Sequence, residues 1–301
     1  DTPLCAFCNM KGPETTAHIF QECPEWEPIR SQASYDWTAF QNLQQCTKNC
    51  GLILELEELT RWERERSQQK EAPLPDHVAA PHKERHDHGR VVIATDGSNV
   101  KLQNTNLQVA GSGASWGENH PNNFGVPLAG PAQSSNRGEV YAVVRVLDLE
   151  PRRVMILSDS QYTVSGVNAL LAGAAARLTN YDLWARVAAH VTMQPERIAI
   201  KWVKGHSTGV HLRRKILTRE EQAANELADK LAGEGALKQS PPQELLKKAS
   251  DHLKLCQKVQ DTMLKIVTAR ENHPKMRELQ EKNERMKIAS CALKKAKKQK
   301  R

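Results

Sequence analysis

Four acidic residues lie in four separate short motifs of this 301-residue chain. They are Asp96 in Thr-Asp-Gly-Ser, Glu139 in Asn-Arg-Gly-Glu, Asp159 in Ser-Asp-Ser-Gln and Asp229 in Asn-Glu-Leu-Ala-Asp. Carboxylate oxygens are the ligands that Mg²⁺ and other hard divalent cations prefer. If the fold brings the four acids together, they predict metal-assisted hydrolysis of a phosphodiester bond.

The segments around three of these acids predict how they are positioned. Residues 90–96 and 153–159 are short runs rich in β-branched residues, which predicts two buried strands, each with an aspartate at its end. Strand ends are the usual place for a site in an open α/β sheet. Apolar residues at helical spacing over residues 138–148 predict a helix with Asn136 as its N-cap and Glu139 in its first turn.

Two further elements complete the predicted site. A helix is predicted over residues 220–236, where Asn225 and Asp229 are four residues apart and therefore share one face. Residues 197–203 have the composition of a strand and lead into a Gly- and Thr-containing loop that begins near His206. These elements are expected to meet at the same end of the sheet as the two strand-end aspartates.

Six motifs stand in the order found in type I ribonuclease H domains, which the chain resembles from about residue 89 to residue 236. The matching segments are residues 95–98, 136–139, 159–162, 182–184, 202–206 and 225–229. Each motif alone is weak, but six in order are specific. The resemblance implies an α/β fold of the ribonuclease H type, with a five-stranded mixed sheet whose first three strands are antiparallel, flanked by helices.

The resemblance also implies roles for individual residues. The four acids would hold two Mg²⁺ ions, or Mn²⁺ since it fits the same oxygen ligands, and the bond cut would lie in the RNA strand of an RNA/DNA hybrid. His206 would assist proton transfer and product release, which suits an imidazole with an ordinary pKa of about 6.5. The residues implied to touch the substrate or order the site are Gly97, Ser98, Asn136, Gln161 and Asn225.

Two segments depart from the common pattern of that family. Residues 207–219 make a longer loop than the usual bacterial one, and its Arg213-Arg214-Lys215 run is open to two interpretations, a phosphate contact or a solvated insertion. Residues 159–182 look too short and too rich in alanine for the basic, Trp-bearing handle with which many members grip DNA. Other parts of the chain are therefore expected to bind the substrate.

A second group of residues, Cys5-x2-Cys8-x9-His18-x4-Cys23, stands at the start of the chain. Three thiolates and one imidazole at this spacing predict a structural, tetrahedral Zn²⁺ site. The segment resembles the CCHC zinc knuckle near the C-terminal part of non-LTR retrotransposon reverse transcriptases. Since the chain begins at Asp1 and carries no polymerase motif, the resemblance predicts a fragment or remnant of a retroelement polyprotein.

The sequence predicts five segments with different composition. They are a zinc knuckle (1–27), a helical connector (28–71), a Pro/His-rich linker (72–89), a ribonuclease H domain (90–236) and a basic tail that is helical or coiled-coil (237–301). The four linker histidines leave a metal site open, although the prolines and polar residues favour a flexible linker.

The tail holds all of the excess positive charge of the chain. Residues 238–301 contain 18 Lys or Arg against 7 Asp or Glu. Such a tail is expected either to bind nucleic acid phosphates without sequence preference or to be merely a solvated helix, and nuclear targeting is a weaker alternative. Its apolar residues at three-four spacing allow a coiled-coil partner, and other nucleic acid contacts are expected through the zinc knuckle.

Composition excludes several classes of protein. A hydrophobic content of 39% supports one core, while the absence of both an 18-residue apolar run and a signal peptide argues against membrane and secretory proteins. Seven cysteines, an odd number, suit a reducing compartment better than a disulfide framework. The predicted location is intracellular, with nucleus and cytoplasm both open.

The function predicted from these features is that of a Mg²⁺-dependent endonuclease that hydrolyses the RNA strand of RNA/DNA hybrids by a two-metal mechanism. The alternative is a catalytically silent remnant of the same fold that binds nucleic acid without cutting it. The intact set of four acids favours the enzyme. A third hypothesis, a stand-alone cellular ribonuclease H, is disfavoured by the resemblance of the first 27 residues to a retroelement knuckle.

Overall fold

The computed structural model describes residues 3–9, 11–33, 36–102, 105, 107–205, 214 and 217–299. The chain forms two compact units, one of Glu57–Leu246 and the other of Asp1–Leu56 with Lys247–Arg301. His206 and most of the 207–219 loop lie outside the described residues. Within those ranges, every helix is too short or too polar to span a lipid bilayer.

The predicted helices are present, and the segment predicted to connect the knuckle to the next domain holds several short ones. The α-helices of the described residues are α1 (Glu27–Ser31), α2 (Trp37–Gln41), α3 (Gln45–Cys50), α4 (Glu57–Ser67), α5 (Ser135–Leu149), α6 (Gln161–Leu171), α7 (Tyr181–Met193), α8 (Arg219–Leu237), α9 (Gln243–Asn272) and α10 (Pro274–Gln299). Single turns of π- or 3₁₀-helix lie at His18–Glu22, Pro24–Trp26, Pro81–Lys83 and Pro195–Arg197. Pro274 begins α10, since proline lacks the N–H that would continue α9.

One mixed sheet forms the centre of the unit Glu57–Leu246. Its strands are β1 (His86–Asp87), β2 (Arg90–Lys101), β3 (Gln108–Ser115), β4 (Phe124–Pro127), β5 (Val154–Ser158) and β6 (Ile198–Trp202). The order is β4-β3-β2-β5-β6, in which β2, β3 and β4 are antiparallel neighbours and β2, β5 and β6 are parallel. The predicted five strands and their directions are confirmed, and the two-residue β1, paired with β2, is an addition.

The predicted end of the first strand at Asp96 is wrong. Strand β2 continues to Lys101, so Asp96 lies in its middle, opposite Gly113 of β3. Its pairing with β5 ends at Ala94, however, while its pairing with β3 begins there. Asp96 therefore lies two residues beyond the last residue of β2 that pairs with β5, in the part of β2 that pairs only with β3.

Helices cover both faces of the sheet. Side chains that alternate along β2 divide between them: Ile93 packs in the larger core with α5 to α7, and Ala94 packs in the smaller core with α8. A strand buried on both faces needs the continuous apolar run that residues 91–94 supply. The sheet is thereby a rigid support for side chains at its edge.

The cap of α5 differs from the sequence prediction. Ser134, not Asn136, is the N-cap, with an extended backbone and a hydroxyl that accepts from the Arg137 N–H at 3.3 Å. The N-cap of α5 is therefore two residues earlier than predicted, because serine caps a helix as well as asparagine does. Asn136 is exposed in the first turn. The prediction that Glu139 also lies in the first turn is wrong, because the helix begins at Ser135 and Glu139 therefore falls in the second turn.

The Pro/His-rich residues 72–89 belong to the same compact unit as the sheet. His77 bonds the buried Glu150 carboxylate at 3.2 Å, and Glu84 accepts two bonds of 2.9 Å from Arg152. These charge-assisted bonds and the β1 pairing attach the segment to the sheet.

Helix α8 lies directly on β3 because both surfaces consist of very small residues. A Cβ at Gly113 would stand 2.3 Å from the Ala228 carbonyl oxygen, and Ala232 is fully buried between them. We expect Gly113→Ala to lower the free energy of unfolding by about 3 kcal/mol, since the clash is with backbone. Urea unfolding tests this, with Gly233→Ala on α8, where the nearest atom is 3.9 Å away, as the control. Equal effects of the two substitutions would contradict the close packing.

Candidate active site

Three of the four predicted carboxylates meet in the folded chain. One oxygen from each of Asp96, Glu139 and Asp159 lies within 4.8 Å of the other two. They come from the middle of β2, the second turn of α5 and the residue after β5. Three carboxylates at this separation form a ligand set of the kind that binds Mg²⁺ or Mn²⁺.

Burial of these acids is uneven. Asp96 and Glu139 retain 7% and 5% of their accessible surface, while Asp159 is half-buried. Two ionised carboxylates with so little water contact repel each other strongly unless a proton or a cation stands between them. The half-buried Asp159 leaves one side of the group open to solvent.

Helix α8 contributes two further groups. Asn225 is buried and its Nδ2 donates to Asp159 Oδ2 at 3.3 Å, while its Oδ1 is buried with no hydrogen-bond partner among the described residues. Asp229 is exposed and lies outside the 4.8 Å group, although it is near enough for its charge to raise the pKa of Asp96. The four-residue spacing predicted to bring both to one face therefore does so.

The electrostatics of the site favour a cation. Burial, together with the charges of Asp159 and Asp229, raises the pKa of Asp96 to about 7. Burial and the neighbouring Asp96 raise the pKa of Glu139 well above its ordinary value. Without a metal, Asp96 and Glu139 therefore keep their protons to a higher pH than ordinary carboxyl groups do. A bound divalent cation would instead stabilise the ionised carboxylates, and so the donor set fits such an ion.

We expect Asp96→Asn to stabilise the metal-free protein. Folding raises the pKa of Asp96 from about 3.9 to about 7. The protonated Asp96 therefore contributes its full stability to the fold below about pH 4, and this stability is lost as the pH rises through about 7 and the carboxylate ionises. In EDTA at pH 8, the substitution should raise the free energy of unfolding by on the order of 2 kcal/mol. Urea unfolding at pH 5 and pH 8 measures this, and a gain that is no larger at pH 8 than at pH 5 would contradict the assignment.

Two residues that hold Asp159 were not predicted to act on it. The indole Nε1 of Trp202 donates to the Asp159 backbone oxygen at 3.0 Å. A Cβ at Gly205 would stand 2.1 Å from Asp159 Oδ2, so the chain passes directly against the carboxylate. Both residues lie in the motif at residues 202–206, but the contact joins β5 to β6 and is visible only in the fold.

The predicted substrate residues other than Asn225 lie close in sequence to one of the three carboxylates. Asn136 and Gln161 are exposed in the first turns of α5 and α6, close in sequence to Glu139 and Asp159. Ser98 is half-buried on β2. Gly97 has a packing role, because a Cβ there would lie 2.2 Å from the Glu139 backbone nitrogen. The prediction for His206 falls outside the described residues.

The predicted zinc ligands also come together, in the other compact unit. We call Cys5, Cys8, His18 and Cys23 the Cys/His cluster, and their ligand atoms lie within 4.8 Å of one another. Cys5 Sγ and Cys23 Sγ are 4.0 Å apart, and Cys8 Sγ and His18 Nε2 are 3.3 Å apart. Tetrahedral Zn²⁺ requires about 3.8 Å and about 3.6 Å for such pairs. Burial raises the pKa of Cys23 to about 12, so only a cation would make it a thiolate.

Local contacts orient the histidine of this cluster. His18 Nδ1 lies 3.8 Å from the exposed Glu22 carboxylate, which leaves Nε2 directed at Cys8. A Cβ at Gly12 would stand 2.6 Å from the same Nδ1, so glycine makes room for the ring. A carboxylate behind a metal-binding imidazole is a common orienting contact.

Comparison with known proteins identifies the family. A sequence model of the RNase H family matches residues 88–237. A ribonuclease H of Schizosaccharomyces pombe is 31% identical over 156 residues, which cover 49% of this chain and 53% of that protein. A ribonuclease H of a Polaromonas species is 31% identical over 153 residues, covering 44% of this chain and 88% of that protein. A solution structure of the PFV RNase H domain has 26% identity, covers 49% of this chain and 94% of its own, and superposes with a TM-score of 0.38.

The matched residues contain the whole sheet from β2 onward and all four predicted acids. This chain therefore belongs to the RNase H family. It spans about half the length of the S. pombe relative but most of the Polaromonas one. The predicted family, RNase H, and the predicted fold are confirmed.

Proposed function

We propose that this chain hydrolyses the RNA strand of RNA/DNA hybrids with the help of divalent metal ions. The observation that carries the proposal is the group of three carboxylates, two of them buried, that three separate elements bring within 4.8 Å of one another on an RNase H fold. Such a group is costly to bury without a cation. A function that uses a bound cation explains why the fold retains this group of carboxylates.

The residues proposed to hold two Mg²⁺ ions are Asp96, Glu139, Asp159 and Asp229. Bound there, the ions would supply an activated water and stabilise the leaving oxygen. Asn225 holds the Asp159 carboxylate through Oδ2, and Trp202 and Gly205 fix its backbone and its position. His206 is proposed to move a proton during product release.

Contacts with the substrate are proposed to come from polar groups around the carboxylates. Asn136 and Gln161 are exposed in the first turns of their helices, where amide groups are free to meet a sugar hydroxyl. The unpartnered Oδ1 of Asn225 is a further acceptor. Recognition of the 2′-hydroxyl is how a protein separates RNA from DNA. The exposed Lys282, Arg285 and other cations of α10 are proposed to add phosphate contacts.

The Cys/His cluster is proposed to bind structural Zn²⁺. Three sulfur donors and one imidazole suit Zn²⁺ better than a hard cation. Together with the RNase H family membership, its resemblance to a retroelement knuckle supports a retroelement origin for the chain.

The proposal is tested by incubating the purified chain with a labelled RNA/DNA hybrid, duplex RNA and duplex DNA, each with Mg²⁺, with Mn²⁺ and with EDTA. The expected result is cleavage of the RNA strand of the hybrid alone, and only with a divalent ion. Cleavage of all three duplexes would overturn the proposed substrate. Binding of the hybrid without cleavage would identify the chain as a silent remnant of the fold.

A further inference from the structure

The Cys/His cluster shares its apolar core with the C-terminal helices. Three of its members, Cys5, Cys8 and Cys23, are packed in one buried group with Phe7, Trp26 and the fully buried Ile266 of α9. The partly buried residues around this group come from both ends of the chain and include Ile29, Ala269, Met276 and Leu279. The side chains proposed to hold zinc are therefore part of the surface on which α9 rests.

Polar contacts tie the same helices to the loop between Cys5 and Cys8. Lys275 Nζ donates to the backbone oxygens of Ala6 at 3.1 Å and Phe7 at 3.3 Å, and to Asn9 Oδ1 at 3.1 Å. Arg270 bonds Glu14, and its guanidinium lies 5.0 Å from the Phe7 ring centre. The loop that positions two of the thiols is thus restrained by side chains more than 260 residues away in sequence.

Two aromatic side chains of this segment, Phe7 and Trp26, are not accessible to solvent. Phe7 and Trp26 retain 2% and 3% of their surface, and the His273 ring stands edge-on to both, at 5.3 Å and 5.9 Å. Single-stranded nucleic acid binds through exposed aromatic faces on which bases stack. These two rings instead contact protein, so the face they form is a site for a helix and not for bases.

The contact continues along α9 toward its N-terminal half. Gln260 Nε2 donates to the Gly51 oxygen at 2.6 Å, and Cys256, Val259 and Met263 pack against Phe40 and Leu43. Residues 36–54 therefore rest on the same helix as the Cys/His cluster. A 30-residue helix needs such packing, because helices in water gain little stability from propensity alone.

We propose that metal binding at the Cys/His cluster and docking of α9 and α10 are one coupled equilibrium. Zn²⁺ holds the Cys5–Cys8 loop in the form that receives Ile266, Arg270 and Lys275, and the docked helices in turn tighten the metal site. This inference rests on the zinc site proposed above. Since a structural metal site is seldom preformed in the unfolded chain, its binding energy is folding energy for whatever packs on it.

Reciprocity supplies the test, because two coupled events must change each other by the same factor. Ile266→Asp puts a charge into the docking surface without altering a ligand. We expect it to weaken Zn²⁺ binding by the full-length chain about ten- to a hundredfold, measured by competition with a chromophoric zinc chelator. Leu264→Asp is the matched control, since Leu264 is 64% exposed on the same helix. The Zn²⁺ affinity of this variant should equal that of the unmodified chain.

A second variant and a second measurement separate coupling from general unfolding. Lys275→Met removes two bonds to the Cys5–Cys8 loop and one to the neighbouring Asn9, and should weaken Zn²⁺ binding several-fold. Adding EDTA to the unmodified chain should increase amide hydrogen exchange in residues 255–279, while exchange in β2 and β5 stays slow.

The possible outcomes are distinct. Unchanged Zn²⁺ affinity in both Ile266→Asp and Lys275→Met, or unchanged exchange of α9 in EDTA, would overturn the coupling alone. No Zn²⁺ binding by the unmodified chain would overturn the zinc site as well. Neither result depends on hybrid cleavage, so the proposed ribonuclease function is judged separately.

Discussion

Asp159→Asn is expected to lower the rate of hybrid cleavage by about a thousandfold, since several kcal/mol of metal-dependent stabilisation are lost. The Asp159 carboxylate lies within 4.8 Å of those of Asp96 and Glu139 and is the half-buried member of the group. Asparagine keeps the shape of the side chain but removes the charge that a divalent cation requires. Single-turnover cleavage at saturating hybrid measures the effect without a contribution from binding.

The fold should survive this substitution. The bond from Trp202 goes to the backbone oxygen of Asp159, and the asparagine oxygen still accepts from Asn225. Hybrid affinity is therefore expected to change by only a few-fold. Glu226→Gln is the matched control, because Glu226 is exposed on α8 between Asn225 and Asp229 and should leave cleavage unchanged. Full activity of Asp159→Asn would show that the catalytic site does not include the Asp159 carboxylate.

Cys23→Ser is expected to abolish stoichiometric Zn²⁺ binding and to unfold the segment around it. Cys23 is fully buried, with its sulfur 4.0 Å from that of Cys5, and it is one of only four ligands in this group among the described residues, so its loss leaves three. Structural zinc contributes about 10–16 kcal/mol in small domains, and removal of one of four ligands should weaken binding by about a thousandfold or more. Zinc content after dialysis and amide exchange over residues 3–33 measure the two effects.

The control for this experiment is another cysteine of the same unit. Cys50 is exposed at the end of α3 and takes no part in the Cys/His cluster, so Cys50→Ser should retain one zinc per chain. Retention of zinc by Cys23→Ser would show that the metal is held by other ligands. The Mg²⁺-dependent cleavage of both variants should remain, since the carboxylates belong to the other compact unit.

Much of the candidate site could be predicted because its parts are local patterns. Residues 153–159 encode a buried strand with an acid after it, and α8 places Asn225 and Asp229 on one face by its period alone. Cys5, Cys8, His18 and Cys23 likewise have a spacing that permits a tetrahedral site. Such patterns depend on neighbours in sequence and need no knowledge of the remaining chain.

The errors arose where a distant partner decided the outcome. Asp96 was predicted at a strand end because Gly97 and Ser98 follow it, yet pairing with β3 carries β2 to Lys101. Asn136 was predicted as a cap because it precedes the helix, yet Ser134 takes that position. The end of β2 and the start of α5 each have several possible positions that differ little in local preference. The contacts with the surrounding sheet then decide between these positions.

The sequence by itself determined the residue types at the site, the order of the elements and the family to which the chain belongs. Only the tertiary structure decided which acids are buried, and therefore which pKa values rise, because burial depends on every element packed around Asp96 and Glu139. It likewise decided that Trp202 and Gly205 hold Asp159, and that Ile266 closes the core of the Cys/His cluster. These contacts join residues far apart in sequence, and their energies arise only when the chain has brought them together.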